Sequence, residues 1–152
     1  MTVFTSHSAT ETKKIAAQLG KEWKALAASK GLMVGLEGDL GAGKTTFVKG
    51  LGKTFSIHDD QVSSPTFTLV NEYGALVHVD LYRLEKSSEV AALALEEYVQ
   101  PGKILLVEWP ERDPFLAGQM NLLVKIKLVS ESERHIEIAP LCLSYKNMVE
   151  HL

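Results

Sequence analysis

Cysteine is nearly absent from this chain of 152 residues, in which Cys142 is the single representative. One cysteine cannot form an internal disulfide, and it cannot supply the cysteine ligands of the usual structural zinc sites, which need at least two. A domain of this size buries roughly 70% of the surface that its unfolded chain exposes, which suffices for a stable core without such crosslinks. We therefore expect one globular domain over residues 1–152, in the reducing environment of the cytoplasm.

An excess of basic charge is also missing, because 16 Lys and Arg residues stand against 19 Asp and Glu residues. Proteins that hold nucleic acid unaided normally present a basic face, so we expect any RNA to be held by a partner instead. No apolar run approaches the roughly 20 residues that span a bilayer, and residues 1–8 lack the pattern of an export signal. We therefore expect no contact with a membrane.

Short apolar runs alternate with amphipathic segments along the chain, which is typical of an α/β fold. The helices are expected from Ser8 or Thr10 to just before Gly31, from Thr45 to Leu51, and over residues 85–98. The last two strands follow one another directly, so we expect a three-layer fold with a mixed sheet, parallel at its centre and antiparallel at an edge. The strands are predicted over residues 2–5, 32–37, 67–72, 76–80, 104–107, 122–128 and 135–138.

The most specific pattern is a glycine-rich loop between the second predicted strand and the second helix. It matches G-x-x-x-x-G-K-[ST] in full and reads Gly38-Asp39-Leu40-Gly41-Ala42-Gly43-Lys44-Thr45. Glycines allow successive N–H groups to surround a phosphate, and the following helix contributes its free N–H groups and positive dipole end. Lys44 would reach the β- and γ-phosphates, Thr45 would bind Mg²⁺, and Thr46 would contact the α-phosphate. The loop therefore predicts a P-loop NTPase fold.

Two acidic residues end predicted strands, where open α/β sheets bind their ligands. Asp80 follows an apolar run that begins at Leu76, and Glu108 follows the continuous run from Ile104 to Val107. Magnesium prefers oxygen ligands, and phosphate loops need such a carboxylate nearby. The longer apolar run makes Glu108 the better metal ligand, and Asp80 would then position water or support the site from behind. His78, between two valines, is interpreted as a structural or surface histidine.

The nucleotide and the reaction follow by elimination. We find no Asn/Thr-Lys-x-Asp element of guanine-specific proteins, so ATP is the expected nucleotide. The three arginines of the chain would make a thin lid for a small-molecule kinase. A hydrolysing ATPase or a nucleotide-dependent switch is therefore favoured, with a kinase that uses the same loop as the alternative.

Four segments of this chain resemble the signature blocks of the TsaE (YjeE) family, in the same order and with similar spacing. The blocks are residues 38–47 (GDLGAGKTTF), 64–70 (SPTFTLV), 80–84 (DLYRL) and 107–112 (VEWPER). The resemblance implies a bacterial ATPase that acts with TsaB and TsaD in making N6-threonylcarbamoyladenosine at position 37 of tRNAs that read codons starting with A. In that family TsaD transfers the threonylcarbamoyl group, and tRNA is met only through the complex.

The resemblance also implies roles for individual residues. Lys44, Thr45 and Thr46 match the phosphate-binding positions, Glu108 matches the Mg²⁺ ligand, and Asp80 matches the acid required for hydrolysis. Ser64, Pro65 and Thr66 match a segment that resembles a switch loop beside the γ-phosphate. Trp109 matches a tryptophan next to the nucleotide. Near the adenine, contacts are implied for Thr12 and for Glu133 or its neighbour Arg134.

Overall fold

A computed structural model describes residues 1–62 and 69–141 of the chain, and its centre is one sheet of seven strands in the order β1-β7-β6-β2-β5-β4-β3. Strands β6, β2, β5 and β4 run parallel, β3 pairs antiparallel with β4, and β7 and β1 extend the opposite side in antiparallel fashion. The predicted α/β fold with a mixed sheet is confirmed, with antiparallel additions at both edges. The strands are β1 (Thr2–Ser6), β2 (Leu32–Glu37), β3 (Val70–Tyr73), β4 (Leu76–Asp80), β5 (Ile104–Glu108), β6 (Leu122–Leu128) and β7 (Arg134–Pro140).

Helices lie on both faces of this sheet. The first face is covered by α1 (Ala9–Lys30) and α2 (Lys44–Lys53). The second face is covered by α3 (Ser87–Ala91), α4 (Pro114–Ala117) and the 3-10 helix Leu95–Tyr98, and two further 3-10 helices span Asp59–Gln61 and Pro110–Arg112. In the described ranges, no helix is both long enough and apolar enough to cross a membrane.

Strand alternation separates the core into two apolar clusters, one on each face. In β5, Leu106 joins the cluster under α1 and α2, whereas its neighbour Leu105 joins the cluster under α3 and α4. Trp23 of α1 and Phe47 of α2 anchor the first cluster, with ring centroids 6.1 Å apart. This packing holds α2 against the sheet, so that the first turn of α2 and the glycine-rich loop before it lie at the carboxyl ends of the parallel strands.

The continuous helix predicted over residues 85–98 is wrong. The segment forms α3, then a turn in which Ala94 has a φ of +49°, then the 3-10 helix Leu95–Tyr98. Val90 and Leu95 are both buried against the sheet, five positions apart, which a straight helix would place on different sides. Burial of both side chains therefore overrides the helical propensity of the alanines between them.

Helix α4 was not predicted, although the sequence carries its start signal. Asp113 accepts a hydrogen bond from the N–H of Phe115 at 3.2 Å, and Pro114 occupies the first helical position. The predicted strand 67–72 is observed from Val70 onward. Residues 67 and 68 lie outside the described residues, and Leu69 precedes the strand.

Candidate functional site

The glycine-rich loop connects the end of β2 to the start of α2, as the motif predicts. Gly41 and Gly43 have φ values of +81° and +110°, in a backbone region that other residues rarely adopt. Gly43 occupies the N-cap position and brings no capping side chain. The first N–H groups of α2 are therefore left for an external partner, and an anion suits them best.

Lys44 already lies inside this loop, with 7% of its surface exposed. Its Nζ donates a hydrogen bond to the carbonyl oxygen of Gly38 at 2.6 Å and lies 3.9 Å from Oε1 of Glu108. The same ammonium group lies 4.1 Å from the centroid of the Trp109 ring. The positive charge that the motif supplies is thus held between the loop and the end of β5.

The two predicted carboxylates lie side by side at the ends of neighbouring strands, because Asp80 of β4 is in register with Glu108 of β5. Burial raises the pKa of Asp80 above its usual range, and the negative charge of Glu108 adds to this increase. The N–H of Tyr82 donates to Oδ1 of Asp80 at 2.9 Å and works in the opposite direction. The two carboxylates therefore lie together at the ends of β4 and β5, with Glu108 facing Lys44.

His78 lies beside these two carboxylates, and the sequence interpretation missed its contact with Glu108. The side chain is fully buried, and its Nε2 lies 2.5 Å from Oε2 of Glu108. A signal was present, since residues two apart on a strand share a face and His78 precedes Asp80 by two positions. The sequence interpretation left a structural and a surface position open; the side chain is structural and buried, and the surface position is wrong.

Trp109 forms an aromatic wall beside Lys44, immediately after β5. Its φ is +58°, a conformation that is uncommon for a bulky residue and that occurs in functional sites. The Tyr82 ring lies 5.0 Å from the Trp109 ring, and the guanidinium of Arg112 lies 5.4 Å and 5.8 Å from these two rings. Trp109 thus contacts Lys44 of the glycine-rich loop, and its contact with a nucleotide stays a prediction.

An open cleft of about 760 Å³ borders the loop on the side of β6. Burial raises the pKa of Glu37 in this cleft, as does the negative charge of Glu111, while Lys125 at 3.8 Å counteracts both effects. Leu40, at the tip of the loop, is 70% exposed at the edge of this space. The lining consists of Glu37, Gly38, Asp39, Leu40, Ala42, Trp109, Glu111, Lys125, Ile126, Lys127 and Leu128.

Arg134 of β7 contacts the loop directly. Its Nε donates to the carbonyl oxygen of Ala42 at 2.8 Å, and a Cβ placed on Gly43 would lie 3.1 Å from the same nitrogen. The neighbouring candidate, Glu133, is half-buried, with its carboxylate 3.7 Å from Nδ1 of His7 and 3.8 Å from Nε2 of His135. Of these two residues, Arg134 therefore contacts the glycine-rich loop.

The other predicted nucleotide contacts stay predictions. The Thr12 hydroxyl is buried and lies 2.7 Å from the hydroxyl of Ser6, so its hydrogen bond is internal. Thr45 and Thr46 are half-buried in the first turn of α2. Ser64, Pro65 and Thr66 lie outside the described residues.

The donor set of the site suits a hard cation that arrives together with phosphate. Across residues 1–62 and 69–141, no group of three or more His, Cys, Asp or Glu residues could hold a metal ion alone. Magnesium is commonly bound through one or two carboxylates together with substrate phosphates, and Glu108 with the Thr45 hydroxyl offers such a partial set. The residues present therefore fit Mg²⁺ only in the company of a bound phosphate chain.

Fold and site together define an α/β protein whose glycine-rich strand-to-helix loop, buried lysine and strand-end carboxylates lie together at the carboxyl end of the parallel strands. A family model described as "Threonylcarbamoyl adenosine biosynthesis protein TsaE" matches residues 6–136. The chain therefore belongs to the TsaE family, and the resemblance noted from the sequence is confirmed.

Individual relatives support this membership over most of the chain. The tRNA threonylcarbamoyladenosine biosynthesis protein TsaE of Bacillus subtilis is 39% identical over 146 residues, which cover 93% of this chain and 87% of the relative. The protein of the same name from a Nostoc species is 44% identical over 129 residues, or 78% of this chain and 76% of the relative. The crystal structure of YdiB from Bacillus subtilis superposes with a TM-score of 0.71 at 30% identity, covering 99% of this chain and 91% of that one.

Proposed function

We propose that this chain is a cytoplasmic P-loop ATPase that binds and hydrolyses Mg-ATP and acts with TsaB and TsaD in the threonylcarbamoylation of tRNA. The observation that carries the proposal is the position of Lys44, which is buried within the loop and faces Glu108. Family membership supports the place of the chain in threonylcarbamoyladenosine biosynthesis.

Phosphate binding draws on two kinds of group at this loop, backbone N–H groups and the Lys44 ammonium. Gly43, at the N-cap of α2, has no side chain that could cap the N–H groups of the first turn. Lys44 exchanges the Gly38 carbonyl for phosphate oxygens and acts there as a mobile point charge. The loop therefore gains two kinds of contact with phosphate without any change in the surrounding core.

Thr45 and Glu108 are the residues that would hold Mg²⁺, which supplies charge neutralisation at the phosphates when it is bound. Asp80 lies at the end of the adjacent strand and keeps its proton more readily than an ordinary aspartate does. Such a carboxyl is suited to accept or position the proton of an attacking water. Glu108 and Asp80 thus take different tasks because their surroundings differ.

Hydrolysis by the chain alone is expected to be slow. Of its three arginines, Arg134 is engaged with the loop backbone and Arg112 stacks on Trp109 and Tyr82. Stabilising charge on the transferred phosphoryl group is the main task of such sites, and a partner protein can supply or orient the missing group. We therefore expect TsaB and TsaD to stimulate the reaction.

The test is reconstituted tRNA modification under multiple-turnover conditions, with and without this chain. Turnover should require the chain, should stimulate phosphate release, and should fail with Lys44→Ala. Glu97→Gln is the control, because Glu97 is exposed on the 3-10 helix Leu95–Tyr98, and this variant should behave as the unaltered protein. Modification that proceeds equally without the chain would overturn the proposed role, and phosphate release that strictly needs a small-molecule acceptor would favour a kinase instead.

A further inference from the structure

His78 is a buried polar residue in a sheet position that an apolar side chain would fill. It lies on β4, has no exposed surface, and shares its face with Leu76, which belongs to the apolar cluster under α1 and α2. Burying an imidazole costs free energy unless hydrogen bonds compensate for it. The contact that compensates here is the one with Glu108.

The hydrogen of this contact must come from the histidine, because a carboxylate can only accept. Nε2 of His78 therefore donates to Oε2 of Glu108 at 2.5 Å. Within residues 1–62 and 69–141, the second ring nitrogen, Nδ1, is buried without a hydrogen-bond partner. A hydrogen on Nδ1 would be a buried donor with no acceptor there. The geometry therefore directs the Nε2 hydrogen of His78 at Glu108.

This arrangement divides the two oxygens of Glu108 between two partners. Oε2 is occupied by His78, whereas Oε1 lies 3.9 Å from Lys44 Nζ, on the side of the phosphate loop. When Lys44 turns to a phosphate, Oε1 becomes the oxygen that is available at the loop. The carboxylate cannot rotate freely, because rotation would break the only hydrogen bond that the ring makes within the described part of the chain.

We propose that His78 is a positioning residue that fixes the orientation of Glu108, so that Oε1 is directed to the cation that accompanies the nucleotide. A hydrogen bond to the carboxylate oxygen that does not face the metal orients the ligand and raises metal affinity. Loss of such a hydrogen bond typically lowers metal affinity about 10- to 100-fold. The inference rests on the proposed function, because it assigns His78 a task only where Glu108 holds Mg²⁺.

A pair of amide variants tests this role in the same buried space. Glutamine in His78→Gln carries its amide nitrogen at the same distance along the side chain as Nε2, so it can still donate to Glu108. Asparagine in His78→Asn is one methylene shorter and cannot reach Glu108 without moving the strand. Both variants bury an amide, so their comparison isolates the hydrogen bond from the general effect of polarity.

The measurement is the binding of adenylyl imidodiphosphate, by calorimetry, at a series of Mg²⁺ concentrations and also in EDTA. His78→Asn should raise the Mg²⁺ concentration for half-maximal enhancement by about 10-fold or more, with affinity in EDTA unchanged within about twofold. His78→Gln should remain within about threefold of the unaltered protein in both conditions. Circular dichroism melting should show the larger loss of stability for His78→Asn, which leaves Glu108 without this donor, and both variants should remain folded at the temperature of the titration.

Two results overturn the inference in different ways. Equal Mg²⁺ dependence in His78→Asn, His78→Gln and the unaltered protein would refute the positioning role while leaving Mg-nucleotide binding intact. Absence of any nucleotide binding by the unaltered protein, with or without Mg²⁺, would refute both this role and the proposed function. An Asn variant that lost affinity equally in EDTA would also refute it, because the defect would then concern the loop as a whole.

Discussion

Replacing Glu108 by glutamine should strengthen nucleotide binding in the absence of Mg²⁺ and abolish the benefit of adding Mg²⁺. The carboxylate attracts Lys44 away from an incoming phosphate and also repels that phosphate directly. Glutamine removes both effects while its side-chain oxygen can still accept the hydrogen bond from His78. The perturbation therefore changes charge with little change in shape.

The size of the effect follows from the 3.9 Å between Lys44 Nζ and Glu108 Oε1. At an effective dielectric constant of about 20, two unit charges at this separation attract by about 4 kcal/mol. Desolvation of the charged groups offsets most of this attraction, so we expect about a third of this value to appear in binding. That fraction corresponds to roughly tenfold tighter binding of ADP.

Calorimetric titration with ADP in EDTA measures this change directly, at low and at physiological ionic strength. The gain should be larger at low ionic strength, and Glu97→Gln should show no gain because its side chain is exposed on the opposite layer. With Mg²⁺ present, the Glu108→Gln variant should bind no better than it does in EDTA. Equal or weaker ADP binding by this variant in EDTA would refute the electrostatic reasoning.

Three further predictions concern the surroundings of the site. Because burial raises the pKa of Asp80, the folded chain holds that proton more tightly than the unfolded chain and loses stability as pH rises through this pKa. Asp80→Asn should therefore raise Tm at pH 7 but not near pH 3, where the carboxyl is protonated in both states; an unchanged Tm at pH 7 would contradict this. Arg134→Ala removes the donor to Ala42 and should weaken ADP binding roughly tenfold in calorimetry, whereas undiminished affinity would separate Arg134 from the loop. Phe47→Ala, in the core against Trp23, should lower the free energy of unfolding by about 3–5 kcal/mol in urea titrations, and a loss below about 1 kcal/mol would show that the core collapses around the gap.

Local sequence patterns predicted the parts of the fold where neighbouring residues decide the structure. The apolar run ending at Glu108 is β5, and the glycine-rich loop lies between β2 and α2 as its motif requires. Alternation also placed Asp80 at the end of β4, so both carboxylates were found. These features follow from strand period and motif spacing, which depend only on residues that are close in sequence.

Features that depend on packing between distant segments escaped prediction. The helix breaks at Ala94 because Val90 and Leu95 both pack against the sheet. The local sequence does not show which residues of the sheet they contact. The link between His78 and Glu108 joins residues 30 positions apart and depends on the register of β4 and β5. Arg134 reaches Ala42 across 92 positions and depends on the order of strands in the sheet.

Titration of the unaltered chain with adenylyl imidodiphosphate and Mg²⁺ tests the central claim most directly, with Lys44→Ala beside it. Saturable uptake of one nucleotide per chain is expected for the unaltered protein, with affinity that rises when Mg²⁺ is added and falls by at least tenfold in the variant. Folded protein that takes up no nucleotide, or a Lys44→Ala variant that binds as well as its parent, would contradict the assignment of this loop.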